Sequence, residues 1–346
     1  MQAIVQDRYG SPDVLELREI DKPAIDDDGI LVRVRAASVN AVDWHLMRGE
    51  PFPARLGNGL RRPRSGVPGV DVAGHVEAVG RNVTEFRPGD EVFGNPGGAF
   101  AEYARGRAHG FVSKPASLTF EQAAAVPVAG LTALQGLRDK GKLQPGQTVL
   151  VNGASGGVGT FAVQIAKVLG GDVTGVCSTL NVELVRSLGA DRVIDYTQED
   201  FTRSGARYDL VFDIAGSRPL WTCRRLLAPA GKLVVVGGPG GRWIRPIDRM
   251  ALAAVLKRFG SATMLPFFSK HSHADLITLR DLLEVGKITP VIDRTFTLSE
   301  TPDAIRYVEA GHARAKVVIT VPDTLSEAQT AVGAPGRGQS TLQWAP

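Results

Sequence analysis

The chain has 346 residues, 43% of them hydrophobic and 22% charged, with a formal net charge of +4 and two cysteines, Cys177 and Cys223. That length accommodates two domains with cores of their own, and two cysteines are too few for a disulfide framework or a cysteine-rich zinc lobe. No run of about 18 apolar residues occurs, so neither a membrane span nor a membrane partner is expected.

In chain order, Met1-Gln2-Ala3-Ile4-Val5-Gln6-Asp7 reads as a strand and lacks the basic start and apolar block of a signal peptide, which points to a cytoplasmic protein. Ile30 to Ala36 alternates apolar and basic residues, as a half-buried strand does. Val70 to Val79 and Glu91-Val92-Phe93 are further strands, set off by Pro68-Gly69 and Pro88-Gly89 turns. Short strands at this spacing predict a compact, barrel-like, β-rich domain over residues 1–122. The one tight basic cluster, Arg61-Arg62-Pro63-Arg64, reads as a solvated loop; nucleic-acid binding is the other reading of it, and nucleic acid is not the expected partner.

The character changes near Thr119. Thr119 and Gln122 form a capping-box pattern ahead of a helix over Ala123 to Val126. Pro127 is expected to interrupt it, with a helix resuming from Leu131 to Leu137. Strands follow at 148–153, 172–177, 192–196, 208–214 and 232–237, with helices at about 158–169, 181–188 and 218–227 between them. This alternation is that of a doubly wound parallel sheet. Ser261 to Phe268 adds an edge strand, Ala274 to Val285 a helix and Val317 to Val321 a closing strand. An apolar edge near Met264 calls for cover, so a homodimer is expected. Residues 323–346, rich in Ala, Gly, Ser, Thr, Gln and Pro, read as a flexible tail.

The most informative stretch is Thr148 to Gly159. An apolar, β-branched run ends in a glycine-rich turn and opens an apolar-periodic helix through Phe161, Ile165 and Leu169. Ala154, Ser155, Gly156, Gly157, Val158 and Gly159 would cradle a dinucleotide's pyrophosphate. Glycine lets the backbone approach closely, and a helix N-terminus offers free N–H groups and a positive dipole end. The fingerprint reads Ala154-x-Gly156-x-x-Gly159. Alanine in first place implies a turn that needs no positive φ there.

Three passages together carry a resemblance: Val67 to Gly80, Val128 to Leu134, and Asn152 to Gly159 with its helix through Lys167. They resemble the medium-chain dehydrogenase/reductase superfamily, in its zinc-independent quinone oxidoreductase and enoyl reductase branch. The resemblance spans residues 1 to 321 and implies an α/β fold. A Rossmann doubly wound parallel sheet, residues 123–286, would be inserted into a β-rich GroES-like catalytic domain of residues 1–122 plus 287–322. The cofactor would lie in the cleft between them.

Cofactor choice turns on the end of the second strand of that sheet, where an NAD enzyme places a carboxylate. Here the position holds Cys177, and Ser178 and Thr179 can hydrogen-bond a 2′-phosphate without repelling it. NADPH is therefore the expected cofactor, although relatives place a basic residue where this chain has Leu180. By resemblance, Tyr196 meets the same phosphate, or else packs in its strand. Thr132 contacts the nicotinamide amide, Gly237 and Gly238 allow close backbone approach, and Lys316 faces the cofactor or is a surface charge.

No metal is expected. The zinc enzymes of the superfamily use a Gly-His-Glu motif with cysteines, whereas this chain has Gly69-Val70-Asp71 and no cysteine before Cys177. His271 and His273 read either as a surface metal pair or as solvated side chains. Ser38-Val39-Asn40-Ala41-Val42-Asp43-Trp44 resembles the family's active-site segment. It implies that Asn40 points at the nicotinamide or the substrate carbonyl and that Asp43 orients the loop. Trp44 either walls the pocket or packs in the core. Some relatives carry a tyrosine proton donor where Pro51 stands here, which leaves water as the proton source. Glu50 to Arg64 and Pro239 to Phe259 are expected to line or cover the pocket. The implied activity is hydride transfer from NADPH to a quinone or to the activated double bond of an enone or enoyl substrate. The alternative is an NADPH-binding sensor or RNA-binding protein with little turnover.

Overall fold

The computed structural model describes residues 1–237, 249, 251–253, 263–311 and 313–322; Gly238, most of 239–259 and the 323–346 segment lie outside the described residues. Its strands are β1 (Gln2–Gln6), β2 (Leu15–Glu19), β3 (Gly29–Val39), β4 (Asp71–Val79), β5 (Glu91–Gly94), β6 (Tyr103–Arg107), β7 (Phe111–Ser113), β8 (Thr148–Asn152), β9 (Asp172–Cys177), β10 (Arg192–Asp195), β11 (Tyr208–Asp213), β12 (Leu227–Val235), β13 (Thr263–Pro266), β14 (Ile292–Thr297) and β15 (Lys316–Thr320). The helices used below are α1 (Ala41–Arg48), α2 (Arg55–Asn58), α3 (Phe120–Ala124), α4 (Pro127–Leu134), α5 (Gly157–Val168), α6 (Val182–Ser187), α7 (Leu220–Arg224), α8 (His273–Glu284) and α9 (Thr301–Glu309).

One sheet has the order β14-β15-β3-β4-β5-β7, with β6 also on β3. It draws on both ends of the chain: β15 runs antiparallel to β3, with Val317 opposite Val39 and Thr320 opposite Ala36. β3 is its long central strand. Its apolar residues Ile30, Val32, Val34 and Ala36 are buried, while Arg33 and Arg35 between them are partly exposed. A two-stranded sheet, β1-β2, lies alongside in sequence order.

The second sheet is parallel throughout, in the order β10-β9-β8-β11-β12-β13. In order of appearance within the sheet this is 3-2-1-4-5-6, the Rossmann arrangement, with the direction of winding reversing between β8 and β11. Parallel strands covered on both faces have no solvent side, which is why Val149, Leu150 and Val151 form an unbroken apolar run and are all fully buried. α5 covers β8 with Phe161, Ala162, Ile165 and Ala166, likewise fully buried.

Two local expectations change. The helix does break ahead of Pro127, since α3 ends at Ala124, but it resumes at Pro127 itself rather than at Leu131: the proline opens α4 at its first position, and the chain continues from Leu134 into a π-helical turn over Gln135–Gly141. A first-turn N–H has no partner within the helix, so proline's missing donor costs nothing there. The Thr119 and Gln122 box is formed, with Gln122 N donating to Thr119 Oγ1 at 3.2 Å and Thr119 N to Gln122 Oε1 at 3.0 Å. The helix expected at 218–227 is shorter, Leu220–Arg224, and β12 begins at Leu227 rather than 232. A register shift between Tyr208 and Leu210 and a left-handed Ala230 (φ 62°) absorb the difference.

Candidate active site

The phosphate loop is built where β8 ends. Asn152 Nδ2 donates to Asp213 Oδ1 at 2.7 Å, and Ile214 N and Ala215 N donate to Asn152 O at 3.1 and 3.2 Å. These bonds tie β8 to β11 at the point where the winding reverses. Arg249 closes the other side of Asp213 with an ion pair. Gly153 takes the left-handed conformation (φ 90°), so the following Ala154 does not need it. Ala154 is fully buried and offers only its backbone. Gly156 caps α5, and a Cβ on Gly159 would sit 2.0 Å from Gly153 O, so only glycine lets the helix lie this close to the loop. The first-turn amides of α5, from Gly157, Val158 and Gly159, point out of the helix end without intrahelical acceptors. Gly237 follows β12, and a Cβ there would lie 2.4 Å from Ile214 O. This is a backbone cradle that side chains would fill.

The loop opens onto a cleft of about 640 Å³, lined by Gly153, Gly156, Ser178, Tyr196, Arg218 and Arg314 among others. No aspartate or glutamate is among its lining residues. Ser178 Oγ accepts from Asn181 Nδ2 at 3.0 Å, and Tyr196 is half exposed. Leu180 lines the cleft and is 76% exposed. Thr179 turns away: its hydroxyl meets Thr197 Oγ1 at 2.8 Å. Arg218 packs over the Phe201 ring and faces Asp200 at 3.7 Å. Neither arginine was singled out by sequence reasoning. Arg314 comes from the other end of the chain, and its place beside Ser178 is a product of the fold alone.

A buried polar cluster lies on the other side of the phosphate loop. β3 delivers Ser38 and Asn40, β4 opens with Asp71, and β15 opens with Lys316; pairing of these strands brings the four together. Lys316 Nζ donates to Asn40 Oδ1 at 2.5 Å and lies 3.7 Å from Asp71 Oδ2. Asn40 Nδ2 donates to Asp71 Oδ2 at 2.9 Å and to Ser38 O at 3.3 Å. Ser38 Oγ donates to Asp71 at 3.1 Å, and Val128 N, in the first turn of α4, donates to Asp71 Oδ1 at 3.1 Å. Asn40 caps α1, and its own N–H donates to Asp43 Oδ2 at 2.7 Å.

The polar side chains of this core are almost closed to solvent, with Ser38 and Asp71 at 0%, Asp43 and Lys316 at 2% and Asn40 at 8% exposure. Burial pushes Asp71 up and Lys316 down, each toward its neutral form, while their mutual attraction opposes both. Burial also raises Asp43, to about 7, against the pull of the Asn40 N–H. Asp43 Oδ1 has no hydrogen-bond partner, which fits a carboxyl that carries a proton more readily than usual. Both amide protons of Asn40 are thus engaged within the protein, so it acts as a strut of the site rather than as a free donor. Lys316 is no surface charge. Its stem runs against the phosphate loop, where a Cβ on Gly157 would come 3.1 Å from Lys316 Cδ, and Ala315 N donates to Ser155 O at 2.7 Å.

Trp44 stacks on His45, ring centroids 3.6 Å apart, and packs against the apolar core of the β3 sheet. Thr132 Oγ1 donates to Val128 O at 2.7 Å and meets Ser269 Oγ at 2.9 Å. Sequence reasoning did not single out Asp71 as a site residue, or Ser269 at all. The signal for Asp71 was present: an acid inside Val70-Asp71-Val72-Ala73, like Lys316 ahead of Val317-Val318-Ile319, is a charge in an apolar strand and needs a partner. His271 meets Asn95 Oδ1 at 2.6 Å and His109 O at 3.1 Å, and His273 meets His109 O at 3.0 Å. Among the described residues no group of three or more His, Cys, Asp or Glu side chains is placed to hold a metal ion.

Two family models match the chain: an alcohol dehydrogenase GroES-like domain over residues 26–134 and a zinc-binding dehydrogenase model over residues 188–319. The chain is 34% identical to the NAD(P)H oxidoreductase RTN4IP1, mitochondrial, of Bos taurus, over 93% of its own length and 89% of the relative's. It is 36% identical to the NADPH-dependent alkenal/one oxidoreductase, chloroplastic, of Arabidopsis thaliana, over 92% and 79% of the two chains. Among solved structures it resembles the quinone oxidoreductase from Coxiella burnetii, with a TM-score of 0.82 and 32% identity over 93% of this chain and 99% of the other.

Proposed function

From the membership of this chain in the medium-chain dehydrogenase/reductase superfamily, in its zinc-independent quinone and enoyl reductase branch, we propose that it reduces a quinone, or the activated double bond of an enone or enoyl substrate, with NADPH. It is an oxidoreductase with a nicotinamide cofactor. The observation that carries the choice of NADPH is the cleft beside Ser178: two arginines, Arg218 and Arg314, and no carboxylate among its lining residues. An NAD site needs an acid on the ribose hydroxyls, and an acid would repel a 2′-phosphate; guanidinium groups attract one.

When bound, NADPH would supply the hydride for the β-carbon of an enone or for the quinone, and the proton that balances it would come from water. The protein's own work is positioning. The amides of Gly157, Val158 and Gly159 hold the pyrophosphate at the positive end of α5. Arg218, Arg314, Ser178 and Tyr196 select the phosphorylated ribose. Lys316, Asp71 and Asn40 form a rigid floor between the phosphate loop and α1, and Thr132 faces the same side from α4. An electrophilic acceptor suits this arrangement, because the chain's Gly69-Val70-Asp71 lacks the histidine with which zinc relatives hold a Lewis acid for alcohol oxidation.

In the same reading, residues 1–122 with 287–322 form the catalytic domain and 123–286 the cofactor domain; the tail expected at 323–346 lies outside the described residues. The protein is cytoplasmic, and the edge strand β13 pairs with its copy in a homodimer. A monomeric sedimentation profile would remove the dimer from this account. No helix among the described residues is long and apolar enough to cross a membrane. The relatives lend no support to the alternative of a sensor or RNA-binding protein with little turnover. Oxidation of NADPH is to be followed with a panel of quinones and 2-alkenals. Turnover with members of either class is expected, and silence across both would sink the proposal.

A further inference from the structure

Residues 51–70 contain four arginines, Arg55, Arg61, Arg62 and Arg64, and no acidic residue, so this one segment holds a positive charge equal to the chain's whole net +4. The rest of the chain is balanced. The segment is also firmly folded. Arg55 donates to Gly49 O at 2.9 Å and to Arg48 O at 3.2 Å, and its guanidinium lies over the rings of Tyr9 and Phe52, 4.3 and 4.7 Å from their centroids. Tyr9 Oη donates to Gly59 O at 2.6 Å, Arg64 N to Asn58 O at 2.7 Å, and Gln6 N to Gly66 O at 2.7 Å. One arginine is spent on building the loop. The other three stand exposed on it, without a carboxylate partner among the described residues, beside Leu56 at 73% and Leu60 at 67% exposure.

Two bare leucines and three neighbouring guanidinium groups are unfavourable in water for opposite reasons, apolar exposure and mutual repulsion. A surface that is anionic outside and apolar just beneath relieves both. We propose that this loop docks the protein onto an anionic lipid bilayer, with Leu56 and Leu60 entering the interface and Arg61, Arg62 and Arg64 meeting lipid phosphates. This is a peripheral contact, not a span. A nucleic acid would satisfy the arginines but leave the leucines in water. In sequence the loop lies between α1, capped by Asn40, and β4, which opens with Asp71. The contact itself does not depend on which acceptor is reduced.

The test is flotation of the full chain with vesicles of phosphatidylcholine alone and of phosphatidylcholine with abundant phosphatidylglycerol. Flotation with the anionic vesicles only, reversed by salt, is expected. With each arginine contributing roughly fivefold to partitioning, Arg61→Glu/Arg62→Glu/Arg64→Glu should lower it by more than about a hundredfold. Leu56→Ser/Leu60→Ser should float at low salt and be released at lower salt than the parent chain. A Leu60→Trp variant reads the contact directly, its emission shifting to the blue on addition of anionic vesicles. The idea is overturned if the parent chain stays behind at low salt, or if the charge-reversed variant floats equally well. Binding of an RNA homopolymer without flotation, or a Leu60→Trp shift produced by quinone and not by vesicles, would overturn it as well. None of these readouts involves turnover, so failure here leaves the reductase assignment to its own assay.

Discussion

The ammonium group of Lys316 donates to the carboxamide oxygen of Asn40 across 2.5 Å while the stem of the same side chain lies against Gly157 in the phosphate loop. One residue thus joins the start of β15, the cap of α1 and the first turn of α5. A buried lysine needs anionic or dipolar company, and Asp71 at 3.7 Å and Val39 O at 3.4 Å complete it.

Lys316→Met should therefore destabilise the protein by about 3–5 kcal/mol, since Asp71 is left buried without its countercharge. Lys316→Met/Asp71→Asn should recover part of that loss. Urea unfolding of the three proteins checks it, and an unchanged midpoint for the single variant would show the pair to be dispensable.

Asp43 gives a pH signature. Its folded pKa, about 7, lies above the ordinary carboxylate value, so the fold prefers the protonated form. Its contribution is fully present below the unfolded pKa and is lost as pH rises through the folded one. Between about pH 4 and about pH 8, Asp43→Asn should gain stability relative to the parent chain, because the amide never has to ionise. Unfolding curves at several pH values measure this, and parallel pH profiles would contradict it.

Arg314→Ala should raise the KM for NADPH by about tenfold to a hundredfold, the worth of a charge-assisted hydrogen bond, and leave that for NADH nearly unchanged. Leu180→Lys, at a 76% exposed position on the same cleft, should lower the KM for NADPH. Equal effects on both cofactors would mean that these side chains do not read the 2′-phosphate.

Gly159→Ala places a methyl group 2.0 Å from Gly153 O. α5 must back away from the loop, at a cost of about 1–3 kcal/mol, and the first-turn amides lose their aim. Thermal melts together with NADPH titration test this; a variant with native stability and affinity would show that the close packing is not required.

The parallel sheet and its phosphate loop were legible because both are local. An unbroken β-branched run, a glycine turn and an apolar-periodic helix are adjacent in sequence, and each states its own conformation. The loop residues from Ala154 to Gly159 could be read in the same way. Local rules fell short at Pro127 in one respect: the break ahead of it is there, but the next helix opens at the proline itself rather than at Leu131, because a first-turn residue needs no N–H donor. Thr179 sits beside Ser178 in sequence, yet its hydroxyl turns to Thr197.

By itself, the sequence determined the strand, glycine turn and helix of the loop from Asn152 to Gly159, that Val70 stands where zinc relatives carry a metal-binding histidine, and that no acid stands at the end of β9. These depend on residue type at one point in the chain. The tertiary structure decided the rest. Arg314 reaches the cleft of Ser178, and Lys316 reaches Asn40 and Asp71, only because β15 pairs with β3 across almost the full length of the chain. Charges buried at such pairings are held by geometry that no local pattern carries. The strength of each depends on distance and exclusion of water, and both exist only once the strands have met.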